Sequence, residues 1–95
     1  MTPVAVACQP AAAGWTCAVT VGDDRGATQH EVEVARPELQ RLQPGASDPE
    51  ALVRAAFAFL LAREPRESIL RRFELPVIGR YFPEWEGEVA RMLAG

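Results

Sequence analysis

Residues 4–34 carry three runs in which apolar side chains recur at every second position, and together they leave the chain little freedom in how it pairs with itself. Val4, Val6 and Cys8 form the first run, Trp15, Cys17, Val19 and Val21 the second, and His30, Val32 and Val34 the third. Period-two alternation marks a strand with one buried face and one wet face. Ala11-Ala12-Ala13-Gly14 and Asp23-Asp24-Arg25-Gly26 separate the runs, and both suit short hairpin loops ending in glycine. Pairing Cys8 with Cys17 sets Val6 opposite Val19 and Val4 opposite Val21. Pairing Val19 with His30 sets Cys17 opposite Val32 and Trp15 opposite Val34. Both choices leave four-residue loops and gather the large apolar strand residues on one face. Thr16, Thr20, Gln29, Glu31 and Glu33 fall on the other. A slip of one residue would invert that division, so the register is well specified. The expected opening is a three-stranded antiparallel meander, with strands at about 3–9, 15–21 and 28–35.

The remainder reads as helical, which makes the chain a single α+β domain over 1–95. Pro37 suits a first helical turn, and Leu39 and Leu42 give a short helix over about 37–43 that ends at Pro44-Gly45. Asp48-Pro49-Glu50 supplies an N-cap, a proline at the first helical position and an acid in the first turn of a helix over 49–63. Its apolar positions, Leu52, Val53, Ala55, Ala56, Phe57, Phe59, Leu60 and Leu61, cover more than a surface helix needs. Either the helix is central to the fold or it is shared with a partner. Pro65 starts a further expected helix over 65–73, with Ile69, Leu70 and Phe73 facing inward. A last helical stretch over 76–94 breaks at Pro83 and carries the stripe Trp85, Val89, Met92 and Leu93. The four helices are expected to pack on the apolar sheet face.

Composition narrows the function classes. The net charge is −3, spread as −2 over residues 1–47 and −1 over residues 48–95, so neither half is a basic surface. That counts against strong non-specific binding to nucleic acid or anionic membrane. All ten basic residues are arginine, and without lysine neither Schiff-base nor P-loop chemistry is available. The start Met1-Thr2-Pro3-Val4 lacks the basic n-region of a signal peptide. The longest apolar run, Ala55 to Ala62, is too short to cross a bilayer. These features lead to an expectation of a cytoplasmic protein whose Cys8 and Cys17 are free thiols in a reducing compartment.

Few residues offer chemistry. On the expected register Cys8, Cys17 and His30 share one sheet face, and directly opposed residues are close enough to form a disulfide. Cys8 and Cys17 are thus a candidate redox pair, set against the plainer view of two small buried hydrophobes with His30 hydrogen-bonded at the sheet's rim. A zinc site wants four ligands, and no fourth is evident. His30 is the only histidine, with Val6, Val19 and Val32 around it and no serine nucleophile. No catalytic residue, cofactor or metal is expected. Residues 67–81 faintly resemble a helix-turn-helix, in which Arg66, Arg71, Arg72 and Arg80 would contact phosphate. The second helix would present Pro76, Val77 and Ile78 to base edges, however, and these are poor readers. The aromatic run from Tyr81 to Trp85 is either a rivet or an anchor for a partner.

The run Arg63-Glu64-Pro65-Arg66-Glu67-Ser68-Ile69-Leu70, followed by Val77-Ile78-Gly79-Arg80-Tyr81-Phe82-Pro83-Glu84, resembles a family of small bacterial conserved hypothetical proteins. The His30-Glu31-Val32 strand and the long Phe/Leu helix fit the same resemblance. It implies a free-standing bacterial protein and brings no active or binding residues with it. The function expected is a non-enzymatic protein-interaction module or small homo-oligomer, such as a homodimer, with Phe57, Leu61, Tyr81 and Trp85 at the interface. Its partner would be another protein or a second copy. The alternatives are a nucleic-acid-binding protein acting through the degenerate helix-turn-helix, and a thiol redox sensor.

Overall fold

The structure is a computed structural model that describes residues 2–94. Three antiparallel strands, β1 (Val4–Ala11), β2 (Gly14–Asp23) and β3 (Gly26–Ala35), form the expected meander. The register is the one the alternation requires. Cys8 faces Cys17, Val6 faces Val19, Val19 faces His30 and Trp15 faces Val34. Pairing runs further than expected, to Ala11 with Gly14 and Asp23 with Gly26, so the loops are two-residue turns rather than four. Two glycines permit close approaches along β2. A Cβ on Gly14 would lie 2.0 Å from the Val34 carbonyl oxygen. Gly22 has φ +123°, and a Cβ there would lie 2.2 Å from the Gly26 carbonyl oxygen.

The sheet has four strands and is mixed, in the order β1-β2-β3-β4. Residues 65–73 do not form the expected helix. They make a single 3₁₀ turn at Arg66–Ser68 and then a short strand, β4 (Arg72–Glu74), parallel to β3. The reason lies in β3, whose far edge would otherwise keep unpaired backbone groups. The Glu31 N–H donates to the Arg71 carbonyl (2.8 Å), and the Leu75 N–H donates to the Glu33 carbonyl (3.0 Å). Phe73 falls level with Val32 and joins the core, while Arg72 pairs with Glu31 on the wet face at 3.0 Å.

Helix α1 (Arg36–Leu42) plants Leu39 on the sheet. Helix α2 (Glu50–Leu61) begins one residue later than expected, with Pro49 at the cap, and the Asp48 carboxylate still accepts the Glu50 N–H at 2.9 Å. After β4 come α3 (Val77–Tyr81) and α4 (Trp85–Ala94), separated by the break expected near Pro83. Helix α2 lies between the sheet and α4, which explains its broad apolar girth. Toward the sheet, Phe57 is 5.3 Å from the His30 ring and 6.2 Å from Phe73, centroid to centroid. Toward α4, Phe59 stands edge-on to Trp85 (5.9 Å) and Phe82 (5.7 Å), with the Arg63 guanidinium 3.7 Å from its centroid. The second apolar flank of α2 is therefore consumed inside the fold. Among the described residues, no helix is long and apolar enough to cross a membrane.

Candidate functional site

Three surfaces could serve a partner, and the structure separates them. The first is α2 itself, where Phe57 is fully buried and Leu61 half-buried. Trp85 is also fully buried, so Phe57 and Trp85 are core residues and not an interface. Of the four candidate interface residues only Tyr81 is exposed, at 67%. The aromatic run thus divides: Tyr81 faces solvent, Phe82 is half-buried and Trp85 is the rivet. Met92, expected inside, is 41% exposed on the outer side of α4.

The second surface is the outer edge of β1. The Gly22 N–H donates to the Pro3 carbonyl at 2.9 Å, so the odd-numbered residues of β1 exchange bonds with β2. Val4, Val6, Cys8 and Pro10 therefore turn their backbone groups outward. Arg54 of α2 donates to the Val4 carbonyl at 2.6 Å, and Pro10 has no N–H to offer. A charge and a proline at an edge are common devices against edge-to-edge pairing.

The third surface is a groove between the end of α2, the 64–70 segment and α3. Its volume is about 210 Å³. Leu60, Ile69, Phe73, Ile78 and Phe82 form its floor and walls, with Leu70 and Tyr81 exposed at its rim. Glu64 is the one charged side chain lining it, and Ser68 adds a hydroxyl. Among the described residues Glu64 takes part in no ion pair, whereas Arg63, Arg66 and Arg72 are each paired with a glutamate.

His30 holds one wall of this groove. It is 4% exposed, and its Nδ1 lies 2.8 Å from the Leu70 carbonyl oxygen. A carbonyl can only accept, so Nδ1 carries the proton and donates. Nε2 then accepts from the Thr28 hydroxyl, also at 2.8 Å. The imidazole is a fully satisfied strut from β3 to the backbone beside Leu70. Nothing in residues 28–34 announces that role, because the partner is a main-chain carbonyl 40 positions away.

The arginines expected to meet phosphate do not converge. Arg66 lies beside Glu67 (3.3 Å) and Arg72 beside Glu31 (3.0 Å), while Arg71 and Arg80 are exposed. The first helix of the expected helix-turn-helix at 67–81 is a turn and a strand, so no recognition helix is presented on a supporting one. Cys8 and Cys17 are joined by a disulfide, and no free cysteine remains. This corrects the expectation of free thiols and removes the thiol argument for a reducing compartment. Among the described residues, no three His, Cys, Asp or Glu side chains cluster as a metal site.

The fold and groove thus define a small α+β domain with a mixed four-stranded sheet and an apolar hollow rimmed by exposed Leu70 and Tyr81. No family model matches the chain, and no curated protein or solved structure shows significant similarity to it.

Proposed function

We propose that this chain is a non-enzymatic protein-interaction module that docks its partner in the groove between the 64–70 segment and α3. The observation that carries this is the pair of large apolar side chains left exposed at the rim, Leu70 at 47% and Tyr81 at 67%, around a hollow of about 210 Å³. Small-molecule sites run to about 300–1,000 Å³ and enclose most of their ligand. A shallower hollow accommodates one or two side chains of a larger partner, and an exposed tyrosine beside it has the character of an interface anchor. A homodimer built on this patch is the weaker option. A stable dimer buries about 800 Å² per partner, whereas Met92, the one other large exposed apolar residue described, lies on α4.

The test is photo-crosslinking in the native host, with benzoylphenylalanine in place of Tyr81 and, as a control, in place of Arg25 at a hairpin tip. A discrete heterologous adduct from position 81 that is absent from position 25, and is lost in Leu70→Glu, supports the proposal. Adducts of equal pattern from both positions, or none from position 81, refute it. An adduct of twice the chain mass would assign the groove to a second copy.

A further inference from the structure

We infer that the groove's occupant is a short basic peptide segment of another protein, which seats one large apolar side chain on the floor and sets a lysine or arginine against Glu64. This rests on the groove being the docking site. The size and lining fix the apolar part: about 210 Å³ suits a single leucine-, phenylalanine- or tryptophan-sized group, and most of the lining side chains are apolar. The charge is fixed by Glu64. It is half-buried, lines the groove and lacks an ion-pair partner among the described residues, although Arg63 and Arg66 flank it in the chain. A carboxylate at the edge of an apolar hollow gains a charge-assisted hydrogen bond from a cation that arrives with the ligand. The lining also includes three aromatic side chains, Phe73, Tyr81 and Phe82, of which Tyr81 is exposed, and aromatic rings attract a guanidinium or ammonium. The chain's net charge of −3 draws a basic partner at long range.

The two exposed arginines nearby do not reverse this sign. Neither Arg71 nor Arg80 lines the groove. At 100° per residue, Val77, Ile78 and Tyr81 share one arc of α3, and Arg80 projects about 110° from the middle of that arc.

The test measures fluorescence anisotropy of the intact chain with three labelled twelve-residue peptides. Each has one central tryptophan, and the flanking residues are Lys/Arg, Gln/Ser or Glu/Asp. The basic peptide is expected to bind at least ten-fold more tightly than the acidic one at low salt. Glu64→Gln, a near-isosteric change that removes the charge, is expected to weaken the basic peptide about five-fold and leave the neutral one unchanged. Equal binding of all three peptides, or tighter binding of the acidic one, overturns the assignment of charge but leaves the groove as a docking site. Binding that survives Tyr81→Ser and Leu70→Glu together in full overturns the groove itself. Absence of binding by any peptide overturns both, since a site of this chemistry must take the matching probe.

Discussion

The Cys8–Cys17 bond gives the sharpest test of the fold's energetics. It closes a loop with a sequence separation of 9, inside one hairpin. Treating the closed loop as about ten residues, the chain-entropy relation gives about 9 cal/mol/K, or about 2.7 kcal/mol at room temperature. A domain of this size has a total stability on the order of 5–14 kcal/mol, so the bond is a large part of it. Reduction by a phosphine reagent is expected to lower the urea midpoint by about 2.7 M, taking a slope of about 1 kcal/mol/M. The melting temperature should fall by about 10–20 °C, at about 4–8 °C per kcal/mol. Because the ladder on both sides of the pair is intact and Cys17 sits in the core, the reduced chain should remain folded at room temperature. The assay is a pair of urea melts, oxidised and reduced, with a thiol titration in denaturant reading zero thiols before reduction and two after. A Cys8→Ala/Cys17→Ala variant should match the reduced protein to within the small packing loss of two sulfurs. A midpoint shift equivalent to less than about 0.5 kcal/mol would refute the reasoning, because the unfolded hairpin would then already hold the two residues close without the bond.

Two further perturbations address the packing around the site. His30→Phe keeps a ring against Phe57 but leaves the Leu70 carbonyl and the Thr28 hydroxyl without their partner. It should destabilise the fold by about 2–3 kcal/mol and speed amide exchange at residues 69–71; unchanged exchange there would show that the strut does not hold the groove wall. On the opposite side, Arg41 of α1 makes a two-pronged pair with Glu86 of α4, at 2.7 and 2.9 Å, and this pair holds the Glu86 carboxyl below its usual range. A depressed carboxyl pKa stabilises the fold above the unfolded-state value, and that contribution is lost as pH falls through the folded value. Both side chains are about half exposed, so the effect is discounted to about 0.5–1 kcal/mol. Glu86→Gln should therefore lose that amount at about pH 7 and progressively less as pH falls through the folded carboxyl's range, as read from urea melts; a loss that does not change with pH would assign the effect to packing instead.

What could be read in the sequence was the part governed by local periodicity. The meander's register follows from ten side chains that must all face one way, a division that a slip of one residue would invert. The girth of α2 was equally visible, but its meaning was not. Phe59 and Leu60 need a second apolar layer, and the sequence does not say whether a partner or the chain's own α4 supplies it; Trp85 and Phe82 do so here. The disulfide lay open as geometry, since Cys8 opposite Cys17 was the first pair in the register. What argues against it in the sequence is only an expectation about compartment, which is no property of the hairpin itself. That His30 is hydrogen-bonded is legible, but its partner is not, because it is a carbonyl and carbonyls belong to every residue.

The segment from 64 to 76 shows how the groove arises from a conflict between local and long-range demands. Ile69, Leu70 and Phe73 have helical spacing, and a helix begun at Pro65 would have laid all three against α2. It would also have left the outward backbone groups of β3 at Glu31 and Glu33 without the partners that β4 gives them. The extended path through Arg71 and Leu75 satisfies those groups and drops Phe73 into the core. An extended chain alternates its side chains, so it cannot also close over the space between α2 and α3. Leu70 is left at the surface, its carbonyl pinned by His30, and the hollow beneath it stays open beside Tyr81. The same completion of the sheet that stabilises the domain thus leaves its main exposed apolar site unfilled, and a partner's side chain would supply the packing that the forgone helix would have given.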